Sequence, residues 1–234
     1  YGTSGGNLFT SLLSRVDDRN AIYAREAGLS YLRELYSGLS FSANYQYKTS
    51  YSTFLTNFQR FDKGGEVRDL DSYSMSFFKV NARFAPKEKF YQSRQYRYNL
   101  DKEVPVIMLS HSFAKRGLLG SDYSCNKTEL SFEKRVWFSF FGYADLLFRG
   151  VKVWNKGVPY TLLDVPSVSP SYFVDNDAFN LMDPVEFIND QSLFWNITYY
   201  MNGLLFNRIP VIRKLQLREV FTFKGIWGSL RDEN

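Results

Sequence analysis

Gln191 to Asn207 reads QSLFWNITYYMNGLLFN, 17 residues without a charge. As a helix it would approach the about 20 apolar residues that cross a membrane. It would also set the amides of Asn196, Asn202 and Asn207 into lipid. Read with a period of two, the stretch separates into faces. Leu193, Trp195, Ile197, Tyr199, Met201, Gly203 and Leu205 share one face, and Phe194, Asn196, Thr198, Tyr200, Asn202, Leu204 and Phe206 share the other. Alternation of that kind is what a strand with two different surroundings requires.

Gly38 to Thr53 alternates more cleanly. Leu39, Phe41, Ala43, Tyr45, Tyr47, Thr49 and Tyr51 oppose Ser40, Ser42, Asn44, Gln46, Lys48, Ser50 and Ser52. The second set has no reason to lie in an apolar core; it faces water outside a sandwich or inside a barrel. Ser76–Phe84, Phe138–Trp154 and Leu215–Gly228 follow the same rule, with Glu219 out of phase on an apolar side. Weaker strands are expected over Leu8–Val16, Ala21–Arg33, Phe90–Asn99, Val104–Phe113 and Tyr123–Lys134, roughly ten strands in all.

Composition agrees. Of 234 residues, 18% are aromatic and only 23% charged, yet the mean hydropathy is −0.32. The net charge of +5 is too small and too diffuse to argue for nucleic acid. One cysteine, Cys125, allows no internal disulfide, and one histidine, His111, lies in a strand-like run with a structural role expected. No phosphate loop, metal cluster or acid–base pair is visible, so neither catalytic residues nor a cofactor are expected. The chain begins at Tyr1 and ends within a pattern, which reads as an internal piece of a longer protein.

Strand length separates a membrane barrel from a soluble sandwich. Gly38–Thr53 and Phe138–Trp154 exceed the usual five or six residues and reach the about 9–11 of a tilted membrane strand. Aromatics gather near strand ends, as in Tyr45, Tyr47 and Tyr51 or Phe90, Tyr91, Tyr96 and Tyr98, like the girdles of membrane barrels. The expected fold is therefore all-β: an antiparallel transmembrane β-barrel, with residues 1–234 forming part of one barrel domain. Asn196, Thr198, Asn202, Arg218 and Lys224 would face the lumen. Trp195, Ile197, Tyr199, Phe221 and Phe223 would face lipid, so that Ile197→Arg should block assembly while Asn196→Arg should be tolerated.

Residues 155–192 form one long loop. Pro159, Pro166 and Pro170 exclude regular structure from its first half. Asp183-Pro184-Val185-Glu186 has the form of a capping box and predicts a short helix over Pro184–Asp190. Asp175, Asp177, Asp183, Glu186 and Asp190 admit a calcium reading but lack the spacing of an EF-hand; capping and solvation explain them better. Farther on, Arg208, Pro210, Arg213 and Lys214 fit either a connection touching lipid headgroups or phosphate, or an ordinary solvated turn.

Several segments carry a family resemblance: Ala178-Phe179-Asn180-Leu181-Met182, Glu186-Phe187, Asp190, Asn202-Gly203, Phe206-Asn207-Arg208-Ile209-Pro210, Lys214-Leu215 and Leu217-Arg218-Glu219-Val220. Earlier, Arg83 to Gln92, Pro105 and Gly157 to Leu163 belong to the same set. Together they resemble the final third of a Bacteroidota family of unknown function, covering about residues 70–234. Members carry a carboxypeptidase-regulatory-like domain followed by an outer-membrane β-barrel. More loosely, the order of strand, long loop and two long strands is similar to the barrel of the BamA and two-partner-secretion superfamily, whose long loop folds back into the lumen; its Arg-Gly-aromatic signature is absent here.

The resemblance implies a Gram-negative outer membrane, outer-membrane lipid and other envelope proteins as partners, and a non-enzymatic role in transport or envelope assembly. A structural or interaction subunit of a larger complex is the alternative, and an outer-membrane enzyme ranks last.

Overall fold

Among the described residues, alternation along the chain is realised as eight long strands in one antiparallel meander. A computed structural model describes residues 22–36, 38–52, 58–61, 67–92, 97–99, 103–169, 175 and 178–231. The strands are β1 (Tyr23–Tyr36), β2 (Leu39–Tyr51), β3 (Phe58–Phe61), β4 (Val67–Leu70), β5 (Ser72–Phe84), β6 (Phe90–Gln92), β7 (Arg97–Asn99), β8 (Val106–Ala114), β9 (Cys125–Trp137), β10 (Tyr143–Val153), β11 (Gln191–Tyr200) and β12 (Val220–Ser229). The main sheet runs β1-β2-β5-β8-β9-β10-β11-β12, and two small hairpins, β3-β4 and β6-β7, interrupt its connections. Its strands are 9 to 14 residues long. Among the described residues β1 and β12 are its two edges, and the sheet is open.

The meander gives the sheet two unlike ends. At one end lie the connection between β1 and β2, the connection 85–105, the turn 138–142 and the connection 201–219. At the other lie 52–71, 115–124 and 154–190. A small apolar core sits at this second end, where Phe58, Tyr73, Met75, Ala114, Cys125 and Val153 meet Val158 and Leu163 of the last connection.

Several expected boundaries move, each for a local reason. Strand β10 begins at Tyr143 because Ser139–Phe141 forms a 3-10 turn and Gly142 takes φ +100. A side chain there has no room, since a Cβ on Gly142 would lie 1.9 Å from the Tyr200 carbonyl oxygen. Strand β11 stops at Tyr200 because Asn202 and Gly203 both take positive φ. Consequently Asn202 and Arg218 lie in the 201–219 connection, off the strands on which they were expected to face a lumen. That connection contains a helical turn, α1 (Pro210–Arg213), with Pro210 at its first turn. Phe90–Asn99 is a hairpin of two short strands.

The helix expected over Pro184–Asp190 is a turn. Half of the capping box forms, with the Asp183 N–H donating to Glu186 Oε2 at 3.0 Å. Val185 then takes φ +63, which ends any helical course. Asn189 instead bridges antiparallel to Asp164. The expected strand Leu8–Val16 and the residue Asp177 lie outside the described residues.

Candidate functional site

The two faces of the sheet differ in chemistry along their whole width. Register links Phe41, Ala82, Leu109, Leu130, Gly150, Leu193 and Trp227 into one row across seven strands. A neighbouring row on the same face runs Phe84, Ile107, Phe132, Phe148, Trp195 and Gly225. The Trp195 indole lies over Gly225, where a Cβ would come within 2.3 Å of the ring. Such cross-strand pairs contribute about 0.2–1 kcal/mol each. Nevertheless many of these apolar side chains are open to solvent: Leu29 is 77% exposed, Phe223 65% and Trp227 58%.

Aromatic side chains frame this face at both ends. Trp154, Tyr23 and Tyr51 stand at the end that carries the 154–190 connection. Trp154 donates to Thr128 Oγ1 at 2.8 Å, and the Lys152 ammonium lies 4.5 Å from its ring centre. Phe138, Phe140 and Phe141, with Tyr199 and Phe221, stand at the other end. There the Tyr199 hydroxyl donates to the Phe141 carbonyl at 2.7 Å.

On the opposite face the same strands present polar and charged groups. Arg135 forms a two-pronged pair with Asp145 at 2.6 and 2.8 Å and lies over the Tyr143 ring. Thr198 bonds Asn196 and Thr222. Asn81 donates to Ser42 at 2.8 Å, and Lys48 pairs with Glu26 at 3.0 Å. Paired, hydrogen-bonded groups of this kind tolerate partial burial.

The long connection folds back onto this polar face. Asp164, its side chain only 3% exposed, accepts from Arg149 at 2.8 Å, Ser192 at 2.6 Å and Lys127 at 3.4 Å. The Phe179 ring meets Phe194 of β11 edge-on at 5.6 Å. Lys224 donates to the Ala178 carbonyl at 2.7 Å and to that of Asp175 at 3.5 Å. At its end Asp190, fully buried, pairs with Arg231.

The expected residues therefore divide. Asn196 and Thr198 are buried on the polar face, with Lys224 half-buried beside them. Trp195, Ile197, Tyr199, Phe221 and Phe223 all share the apolar face. The acidic loop residues are dispersed: Asp175, Asp183 and Glu186 are exposed, while Asp190 is internal. Among the described residues no group of His, Cys, Asp and Glu could hold a metal ion. His111 is in β8, on the apolar face, bonded to Thr128 at 2.9 Å.

Two buried carboxylates were given no role in the reading of the sequence. Asp164 is the sole charge between Gly157 and Val174, and an isolated charge in so apolar a run was its available signal. Glu219 broke the alternation before β12. It caps the connection, its Oε1 accepting the N–H groups of Leu205, at 2.9 Å, and Phe206. Burial opposes its ionisation, but the backbone donors of Phe206, Glu219, Leu205 and Gly203 hold its carboxyl below the usual range.

No helix among the described residues is long and apolar enough to cross a membrane, which says nothing of strands. No curated protein and no solved structure matches the chain. The model of a family of unknown function (DUF5686), in its C-terminal domain, matches residues 4–231. With a match over nearly its whole length, on an all-β meander of two opposite faces, the chain belongs to that family of unknown function as its C-terminal domain.

Proposed function

We propose that this sheet is part of the wall of a transmembrane β-barrel in the outer membrane of a Gram-negative, Bacteroidota-type bacterium. The apolar face meets lipid, the polar face meets a water-filled lumen, and the 154–190 connection occupies that lumen. The protein is non-enzymatic and serves transport or envelope assembly, in an architecture like that of the BamA and two-partner-secretion barrels. Its partners are outer-membrane lipid and other envelope proteins.

One observation carries this reading: the apolar side chains lie on the face without the folded-back connection, and that face is widely exposed. In water each such Leu or Phe forgoes about 1.5–3 kcal/mol of burial, and soluble monomers seldom expose apolar patches beyond a few hundred Å². Hydrocarbon removes the penalty. It also demands that backbone groups be paired, as a continuous ladder provides.

Leu109 and Ser110, neighbours in β8, test the facing. Leu109 is 48% exposed between Ala82 and Leu130, whereas Ser110 lies between Asn81 and Glu129 on the polar face. Leu109→Arg should reduce membrane assembly sharply, at about 2–4 kcal/mol near mid-membrane, and Ser110→Arg, beside Glu129, should assemble. Equal assembly of both variants, judged by extraction from membranes at alkaline pH, would remove the proposal. A water-exposed Leu109 would tolerate the charge within about 0.5 kcal/mol.

The second reading is a structural subunit of a larger envelope complex. Among the described residues β1 is an edge strand, and the exposure of its Leu29 and Leu32, more than two-thirds each, favours it.

A further inference from the structure

The 201–219 connection has a composition that its place in the fold does not require. Arg208, Arg213, Lys214 and Arg218 are all exposed, and among the described residues none of the four has an acidic partner. The carboxylate in the segment, Glu219, is turned inward onto the N–H groups of Leu205 and Phe206. The segment therefore presents uncompensated positive charge. Alongside it stand exposed apolar side chains: Val211 is 77% exposed and Leu215 65%.

Arg213 and Arg218 line one concavity of about 800 Å³ together with Asn202, Asn207, Gln216 and Leu217. Guanidinium and amide donors around such a space match the oxygens of a phosphate. The surface is continuous with the apolar face of the sheet through Phe221, 55% exposed and in register with Tyr199. A concavity lined by such donors, flanked by exposed Val211 and Leu215 and joined to a lipid-facing wall, matches a phospholipid: headgroup in the donors, chains along the apolar surface.

We infer that residues 201–219 form a binding site for the phosphate headgroup of an anionic phospholipid. The site lies at the end of the sheet that carries the 138–142 turn. This inference rests on the membrane-spanning reading and adds to it a lipid class.

The test uses the full chain, incorporated into vesicles of phosphatidylcholine alone or of phosphatidylcholine with phosphatidylglycerol. Lipid retained on the protein after detergent extraction is identified by native mass spectrometry. The wild-type chain should retain phosphatidylglycerol in preference to phosphatidylcholine. Each of Arg213→Gln and Arg218→Gln should lower that preference by roughly 5-fold, the effect of one basic residue at an anionic surface. The Arg213→Lys, Arg218→Lys pair should keep most of it and controls for folding.

Retention without preference in a chain that integrates overturns this inference alone. So does a preference unchanged by the glutamine variants, or one abolished by added inorganic phosphate, which would assign the site to free phosphate. Failure of the wild-type chain to integrate into either vesicle overturns the membrane-spanning reading, and this inference with it.

Discussion

Arg149 of β10 reaches across the polar face to Asp164 of the folded-back connection, Nη2 to Oδ1 at 2.8 Å. A carboxylate carried by a segment without regular structure is thus held by the wall of the sheet. Lys127 and Ser192 approach the same carboxylate, so three strands fasten one point of the loop. Glu129 lies 3.3 Å from the other side of Arg149 and would keep it partly paired if Asp164 lost its charge.

Asp164→Asn should therefore loosen the connection without unfolding the sheet. The loss is set at about 1–3 kcal/mol, below that of a fully buried ion pair, because Arg149 retains Glu129. Hydrogen exchange should rise over residues 154–190 and stay unchanged in β2 and β5. Uniform loss of protection across the sheet would count against a local latch.

The facing test at Ile197 and Asn196 changes once the neighbours are known. Ile197→Arg still places a charge among Leu146 and Phe223 and should block assembly. Asn196, however, is buried directly opposite Lys224. Asn196→Arg sets two cations side by side in a crowded site and should also lower the folded yield, whereas Asn196→Asp should not. The measurement is folded yield on refolding into detergent.

Gly142→Ala should fail more severely than its conservative size suggests. At φ +100 and ψ −148 the backbone is in a region used almost only by glycine, a cost of about 1–3 kcal/mol. The added methyl would also press on the Tyr200 carbonyl. Folded yield should fall, with excess hydrogen exchange at the 137–143 hairpin; an unchanged yield would contradict this turn geometry.

Acid should loosen the 201–219 connection through Glu219. A carboxyl held below its ordinary value of 4.5 contributes stability that is present above the unfolded pKa and is lost as pH falls through the folded one. Proteolysis or exchange of residues 201–219 should therefore increase as pH drops below about 4.5. Glu219→Gln should loosen the segment at neutral pH and flatten its acid dependence.

The alternation of side chains in Gly38–Thr53 and Gln191–Asn207 was enough to establish strands there and their two faces, over Leu39–Tyr51 and Gln191–Tyr200. In an extended chain neighbouring side chains point to opposite sides whatever the rest of the molecule does. What alternation could not supply were the strand ends and the partners. Asn202 and Arg218 fitted the pattern, yet positive φ at Asn202 and Gly203 and the capping by Glu219 turned the chain out of the sheet before either could join it. The capping box at Asp183 was legible, but Val185 and the pairing of Asn189 with Asp164 made it a turn.

The order of the meander, the open edges and the return of residues 154–190 onto the polar face were decided by tertiary structure alone. Each depends on contacts between residues distant in the chain, such as Asp164 with Arg149 or Lys224 with Ala178. A period of two records which side a residue faces; it carries no information about what lies there to meet it.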